Sequence, residues 1–140
     1  MTLERFKTAQ EYSYEDALAE ISSGYKRTHW MWYVFPQVRG LGSSPTAQKY
    51  AIQSRQEAEA YEKDPVLGRR LREITEALLA QKESDPVKVF GSTDAMKLKS
   101  CMTLFAAVSE KPELYEEVLN RFFSGKRCSH TLEFLNTDRR

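Results

Sequence analysis

Apolar positions recur at helical spacing along most of the chain, and the residues between the runs are those that start and stop helices. Tyr14, Ala17, Leu18 and Ile21 follow Ser13 at i, i+3, i+4 and i+7, and Gly24 closes the run as a C′ residue does. Asp16, three residues after Ser13, makes a weak variant of the capping box. Ser44-Pro45 reads as N-cap plus N1 of a short helix through Ala51, and Ser54 with Glu57 opens another over Arg55 to Lys63. Asp64-Pro65 begins the longest periodic segment, in which Leu67, Leu71, Ile74 and Leu78 share one face towards Gln81. Asp85-Pro86 starts a short turn that ends at Gly91, after which Ser92 or Thr93 caps a helix striped by Leu98, Cys101, Met102, Phe105 and Val108. Lys111-Pro112 begins a helix burying Leu114 or Tyr115, Val118, Leu119, Phe122 and Phe123, and Ser124-Gly125 stops it. Ser129 caps a last one, which docks Leu132 and Leu135 and leaves residues 136–140 mobile.

Strand signals are weak. No stretch alternates cleanly between hairpin turns, and the one β-flavoured run, Trp30 to Val38, is broken by Pro36 and lacks an evident partner. The pattern predicts an all-α fold: a compact bundle of about seven short helices, with residues 1–140 forming a single domain.

Composition agrees and narrows the function. In 140 residues, 41% are apolar and 11% aromatic, which suffices for one core. No apolar run approaches the roughly 20 residues of a membrane span, and Met1 to Gln10 lacks the apolar region of a secretory signal. Cys101 and Cys128 make no disulfide framework, and with two histidines they show no metal-ligand spacing. A cytoplasmic protein with free thiols is expected, with no cofactor and no metal implied. The net charge of +1 argues against binding to extended nucleic acid, which needs a wide basic face.

Charge placement says more than net charge. Between Glu20 and Glu57 there is no acidic residue, whereas Lys26, Arg27, Arg39, Lys49 and Arg55 are basic. This segment also holds His29, Trp30, Trp32, Tyr33 and Phe35. Cations neutralise phosphate or carboxylate, and an indole face stacks on a base or sugar. The plainer reading makes His29 to Phe35 a buried helix with Lys26 and Arg27 at its solvated entry. A second block opens at Gly91: Asp94 and Lys97 lie at helical spacing, with Ser100 one turn on. A helix N-terminus with hydroxyls attracts anions and Lys97 adds charge, although an Asp94–Lys97 surface pair explains the same residues. Gly40-Leu-Gly lacks the strand and the Gly-Lys-Ser/Thr ending of a phosphate loop, and reads as a tight turn. Cys101 sits on an apolar stripe, whereas Cys128, beside Arg127, has the more electropositive setting.

The run from Gly24 to Gln37, centred on His-Trp-Met-Trp and closed by Phe-Pro-Gln, is distinctive. Together with Gly40-Leu-Gly, Ser44-Pro, Tyr50-Ala-Ile, Pro65-Val-Leu-Gly, Phe90-Gly, Asp94, Lys97-Leu and Met102-Thr-Leu-Phe105, it resembles domain of unknown function 1810. Members of that family have sometimes been labelled calpastatin, a name nothing in these residues supports. The resemblance runs from Leu3-Glu-Arg-Phe6 to Thr131-Leu and implies a compact all-α cytosolic domain without an established activity. Many members carry an acidic residue after Gly125, where this chain has Cys128. The layout is also similar to a helical family linked to ADP-ribose and N-glycosidic-bond chemistry, which pairs an early Trp block with a later Lys…Met-x-Leu-Phe helix. The acidic residue of that early block has no counterpart in residues 21–56.

Three functions remain open. The first is an enzyme or sensor for a phosphorylated nucleoside or ADP-ribose-like molecule. Lys26, Arg27, Lys97 and Ser100 would hold its phosphate, Trp30 or Trp32 would stack, and Gln37 would orient the polar edge. Asp94 is the carboxylate nominated for acid/base work, and His29, the other catalytic candidate, would orient that edge with Gln37. The second is a non-catalytic nucleic-acid- or protein-binding module using the same surface, and the third a structural protein whose tryptophans are core. The first reading requires residues 26–37 to meet the helix that starts near Asp94 in one anion-attracting pocket.

Overall fold

Residues 3–138 are described by a computed structural model, and among them nine helices and no strand are found. In chain order they are α1 (Glu4–Ser22), α2 (Met31–Val34), α3 (Pro45–Tyr50), α4 (Arg55–Lys63), α5 (Leu67–Ala80), α6 (Pro86–Phe90), α7 (Ser92–Val108), α8 (Glu113–Phe123) and α9 (Ser129–Thr137). The all-α expectation holds. The excess over seven comes mainly from single-turn pieces such as α2 and α6.

Helix α7 is the hub. From Leu98 to Phe105 every residue but Lys99 is buried, and a helix apolar on most sides must be surrounded. Helices α2, α4, α6, α8 and α9 pack against it, while α1 packs along α5. Ser100 and Thr103 tolerate this burial because their hydroxyls donate to the carbonyls of Met96 (3.1 Å) and Lys99 (2.8 Å) one turn back.

Four expectations need correction. The N-cap of α9 is Cys128 and not Ser129. Helix α1 starts at Glu4, and Ser13 is no cap but a mid-helix residue whose hydroxyl meets Tyr33 Oη at 2.8 Å. The buried face begins at Phe6 and continues through Gln10, whose polarity interrupts the apolar pattern. Gln10 is accommodated in the core because its amide donates to the Tyr33 carbonyl (2.8 Å) and to Tyr61 Oη (2.9 Å). At the start of α7 the N-cap is Gly91, at φ +82°, so neither Ser92 nor Thr93 caps it. At the C-terminus Phe134 and Leu135 dock while Leu132 stays 43% exposed. Residues 136–138 are not loose: α9 runs to Thr137, and Asp138 Oδ2 accepts from the Arg55 amide at 2.6 Å. Residues 139–140 lie outside the described part. The β-flavoured run contributes α2 and one isolated parallel bridge, Val38 to Ile52.

Glu20, near the end of α1, shapes the connection to α2. Its Oε1 accepts from the Arg27 amide (2.8 Å), the Thr28 amide (3.0 Å) and the Trp30 indole N–H (3.0 Å). Its Oε2 accepts from the Thr28 hydroxyl at 2.6 Å. Burial alone would raise this carboxyl, but the four donors outweigh it and lower its pKa to about 2. The Lys26 amide donates to the Val89 carbonyl (2.8 Å), which ties the same loop to α6.

Two predictions follow from these anchors. Glu20→Gln should cost about 2 kcal/mol near pH 7, since it removes charge-assisted hydrogen bonds. Because the folded pKa is depressed, this stability is present above pH 4.5, the ordinary value, and is lost as pH falls towards about 2. The gap between variant and parent in urea unfolding should therefore shrink near pH 3. Asp138→Ala should lower stability by roughly 0.5–2 kcal/mol, the usual worth of an oxygen on a helix N-terminal amide, whereas Leu132→Ala should change the urea midpoint little.

Candidate functional site

The loop set by Glu20 delivers Lys26 to the first turns of α7. Lys26 Nζ donates to the Thr28 carbonyl (2.6 Å) and pairs with Asp94 Oδ2 at 2.8 Å. Lys97 Nζ reaches the other carboxylate oxygen, Asp94 Oδ1, at 2.9 Å. One carboxylate thus bridges two ammonium groups. Burial tends to raise the Asp94 carboxyl, but hydrogen bonds from Lys26 and Lys97 prevail and hold it below the usual range. Each lysine also lies over an indole, Lys26 over Trp30 at 4.9 Å and Lys97 over Trp32 at 4.0 Å. A recess of about 120 Å³ opens there, lined by Lys26, His29, Trp32, Asp94 and Lys97 among others.

The two sequence blocks therefore meet, with individual residues placed differently from expectation. Trp30 is 1% exposed with its indole N–H on Glu20, so it belongs to the core and offers no stacking face. Trp32 is half-buried, one face lies beneath Lys97, and a Cβ at Gly42 would come within 2.7 Å of its ring. The Lys26 side chain is 7% exposed and ion-paired, not a solvated entry residue. Arg27 is exposed and its backbone amide, not its side chain, does the anchoring. His29 is exposed on the recess rim, and no carboxylate among the described residues orients its ring. The acid missing from residues 21–56 comes from outside the segment, through Glu20 and Asp94.

Beyond Lys97 lies a larger cavity of about 430 Å³, with Gln37, Leu41, Ser92, Thr93, Met96, Ser100 and Cys128 also on its walls. Gln37 is 5% exposed, and its carboxamide has no hydrogen-bond partner among the described residues. Its polar atoms are not sealed in the core but open to the cavity, where a polar ligand group would meet them. The first turn of α7 carries no side-chain cap, and Ser92 and Thr93 bring their hydroxyls to the same space. Leu41 and Met96 supply an apolar wall.

Glu20 is not among the residues the sequence pattern singles out. Glu20 closes the last turn before the acid-free segment, which was the one available signal. Cys128 shares the cavity with Ser100, whose Oγ lies 3.3 Å from its sulfur. Another groove, of about 680 Å³ between α1 and α5, is lined by Tyr14, Arg69, Arg70 and Glu73 among others, and holds none of the expected site residues. No group of three metal-ligating side chains occurs among the described residues, and no helix there is long and apolar enough to cross a membrane.

Comparison with known proteins places this arrangement. No curated protein matches the chain. Among solved structures it is similar to the conserved hypothetical protein Rv1873 from Mycobacterium tuberculosis, with 40% identity, 96% of each chain covered and a TM-score of 0.93. Residues 1–135 match the family model described as a protein of unknown function, DUF1810. That match takes in both lysines, Asp94, Gln37 and Cys128, and so the chain belongs to the DUF1810 family.

Proposed function

We propose that the protein binds a phosphorylated nucleoside or ADP-ribose-like small molecule in the cavity between Gln37 and the start of α7. The observation that carries this reading is the Gln37 carboxamide, without a hydrogen bond to the described residues and open to a cavity whose other polar wall is an uncapped helix N-terminus. Free amides and hydroxyls at such a terminus suit a phosphate, and Lys97 adds a cation at the same wall. Leu41 and Met96 flank the space a base or sugar would fill, and Gln37 would read its polar edge. The volume of about 430 Å³ falls within the usual range for small-molecule sites. Asp94, kept ionised between two lysines, acts in this reading as their positioning anchor and not as an acid or base. With His29 exposed and unoriented, binding is better supported than turnover. A concave cavity with an apolar wall suits a small molecule better than extended nucleic acid.

Thermal unfolding with ADP-ribose and a set of nucleoside mono- and diphosphates tests the reading. A ligand at 100 times its dissociation constant should stabilise the protein by about 2.7 kcal/mol. Gln37→Leu should abolish that shift while leaving the unliganded protein about as stable, because the carboxamide it replaces makes no hydrogen bond to the described residues. A ligand shift that survives in Gln37→Leu, or no shift with any of these compounds, would refute the proposal.

A further inference from the structure

Cys128 occupies the N-cap of α9, where an oxygen of Ser, Thr, Asp or Asn normally accepts from the second or third amide of the helix. Those amides belong to His130 and Thr131. Both lie near the sulfur without a hydrogen bond being completed to it, as expected for a large, weak acceptor. The Thr131 hydroxyl is in the same position: wholly buried, beside the sulfur, outside hydrogen-bond geometry and with no other partner among the described residues. The Cys128 amide donates to Thr103 Oγ1 at 3.0 Å, which holds the backbone in place. Ser100 Oγ has one proton and two acceptors in reach, the Met96 carbonyl at 3.1 Å and the Cys128 sulfur at 3.3 Å.

These donors favour an anionic sulfur. Burial by itself raises the thiol pKa, but the hydrogen-bonded Ser100 hydroxyl, with the dipoles of the nearby Thr131 hydroxyl and two α9 amides, brings it below the ordinary value. Lys97 is the only charged residue lining the cavity, and no carboxylate lines it. His130 directs its Nε2 to the Arg39 carbonyl at 3.1 Å. The sulfur thus has no imidazole base as a cysteine acyltransferase would, and its ionisation must come from the hydrogen-bond donors around it. Cys101, on α7, is wholly buried and its thiol pKa is pushed well up, so the chain carries its own unreactive control. The Gln37 carboxamide, open to the same cavity and without a hydrogen bond to the described residues, independently marks this space as one that accommodates a polar group.

We propose that Cys128 is an oxidation site: hydroperoxides convert it to a sulfenic acid, whose oxygen supplies the capping acceptor that α9 lacks. The sulfur attacks one peroxide oxygen, an S–O bond forms and the O–O bond breaks. Sulfur loses two electrons to the peroxide, and the departing hydroxide of hydrogen peroxide (or alkoxide of an organic hydroperoxide) takes a proton to leave as water (or alcohol). The new oxygen lies within the reach of the Thr131 hydroxyl and the His130 and Thr131 amides. With Cys101 sealed in the core, no second thiol of the described chain is placed to consume the product, and an external thiol would restore it. This site does not depend on nucleotide binding.

The full chain treated with hydrogen peroxide and dimedone, then mapped by mass spectrometry, tests it. The adduct should form on Cys128 and not on Cys101, about tenfold faster near pH 7 than on free cysteine. Ser100→Ala and Thr131→Val should each slow it several-fold. Cys128→Asp, which places a permanent oxygen acceptor at the cap, should melt about 2–4 °C above Cys128→Ala. Labelling no faster than free cysteine would overturn the proposed reactivity, and equal melting of the two variants would overturn the cap.

Discussion

The connection between α1 and the rest of the bundle turns on one carboxylate. Glu20 ends an amphipathic helix with a buried negative charge, and four donors from Arg27, Thr28 and Trp30 converge on it. A buried charge is tolerated only when its hydrogen-bonding capacity is met, so the loop is wound to meet it. Winding it that way sends the Trp30 indole into the core and leaves the Lys26 ammonium facing α7. The position of the lysine pair is thus a consequence of satisfying Glu20.

The same logic changes what an acid-free, basic segment means. Five cations with no acid between residues 21 and 56 suggest an unmet need for an anion. In the fold, Lys26 meets Asp94 from α7, Arg55 pairs with Glu59 at 3.3 Å, and Arg39 donates to the Gln53 carbonyl. Charge balance is a property of neighbours in space, and here it is met largely by the chain itself. What remains unmet among the described buried side chains is neutral: the Thr131 hydroxyl, beside the loosely held sulfur of Cys128.

Both the Thr131 hydroxyl and the Cys128 sulfur lie at the start of α9. Elsewhere in the core, polar groups are accounted for, as with Gln10, Thr75 on the Leu71 carbonyl, and Glu57 between Arg5 and the Gln53 amide. A core satisfied in these places and unsatisfied at Thr131 gives up stability locally, at the start of α9.

The sequence by itself determined the helices. Caps such as Ser44, Ser54 and Asp85 accept from amides two or three residues on, and apolar spacing marked the faces of α5, α7 and α8, because these signals act over one or two turns. It also marked the two blocks that meet at Lys26 and Asp94. Only the tertiary structure decided that Trp30 is core, that Gln10 and Glu20 are buried, and that Gln37 and Cys128 share a cavity. Each of these depends on partners far along the chain or on the lack of any: Tyr61 lies 51 residues from Gln10, and Ser100 lies 28 from Cys128. Local periodicity reports which face of a helix is dry. Whether a polar group on that face finds a partner is decided only when distant segments pack together.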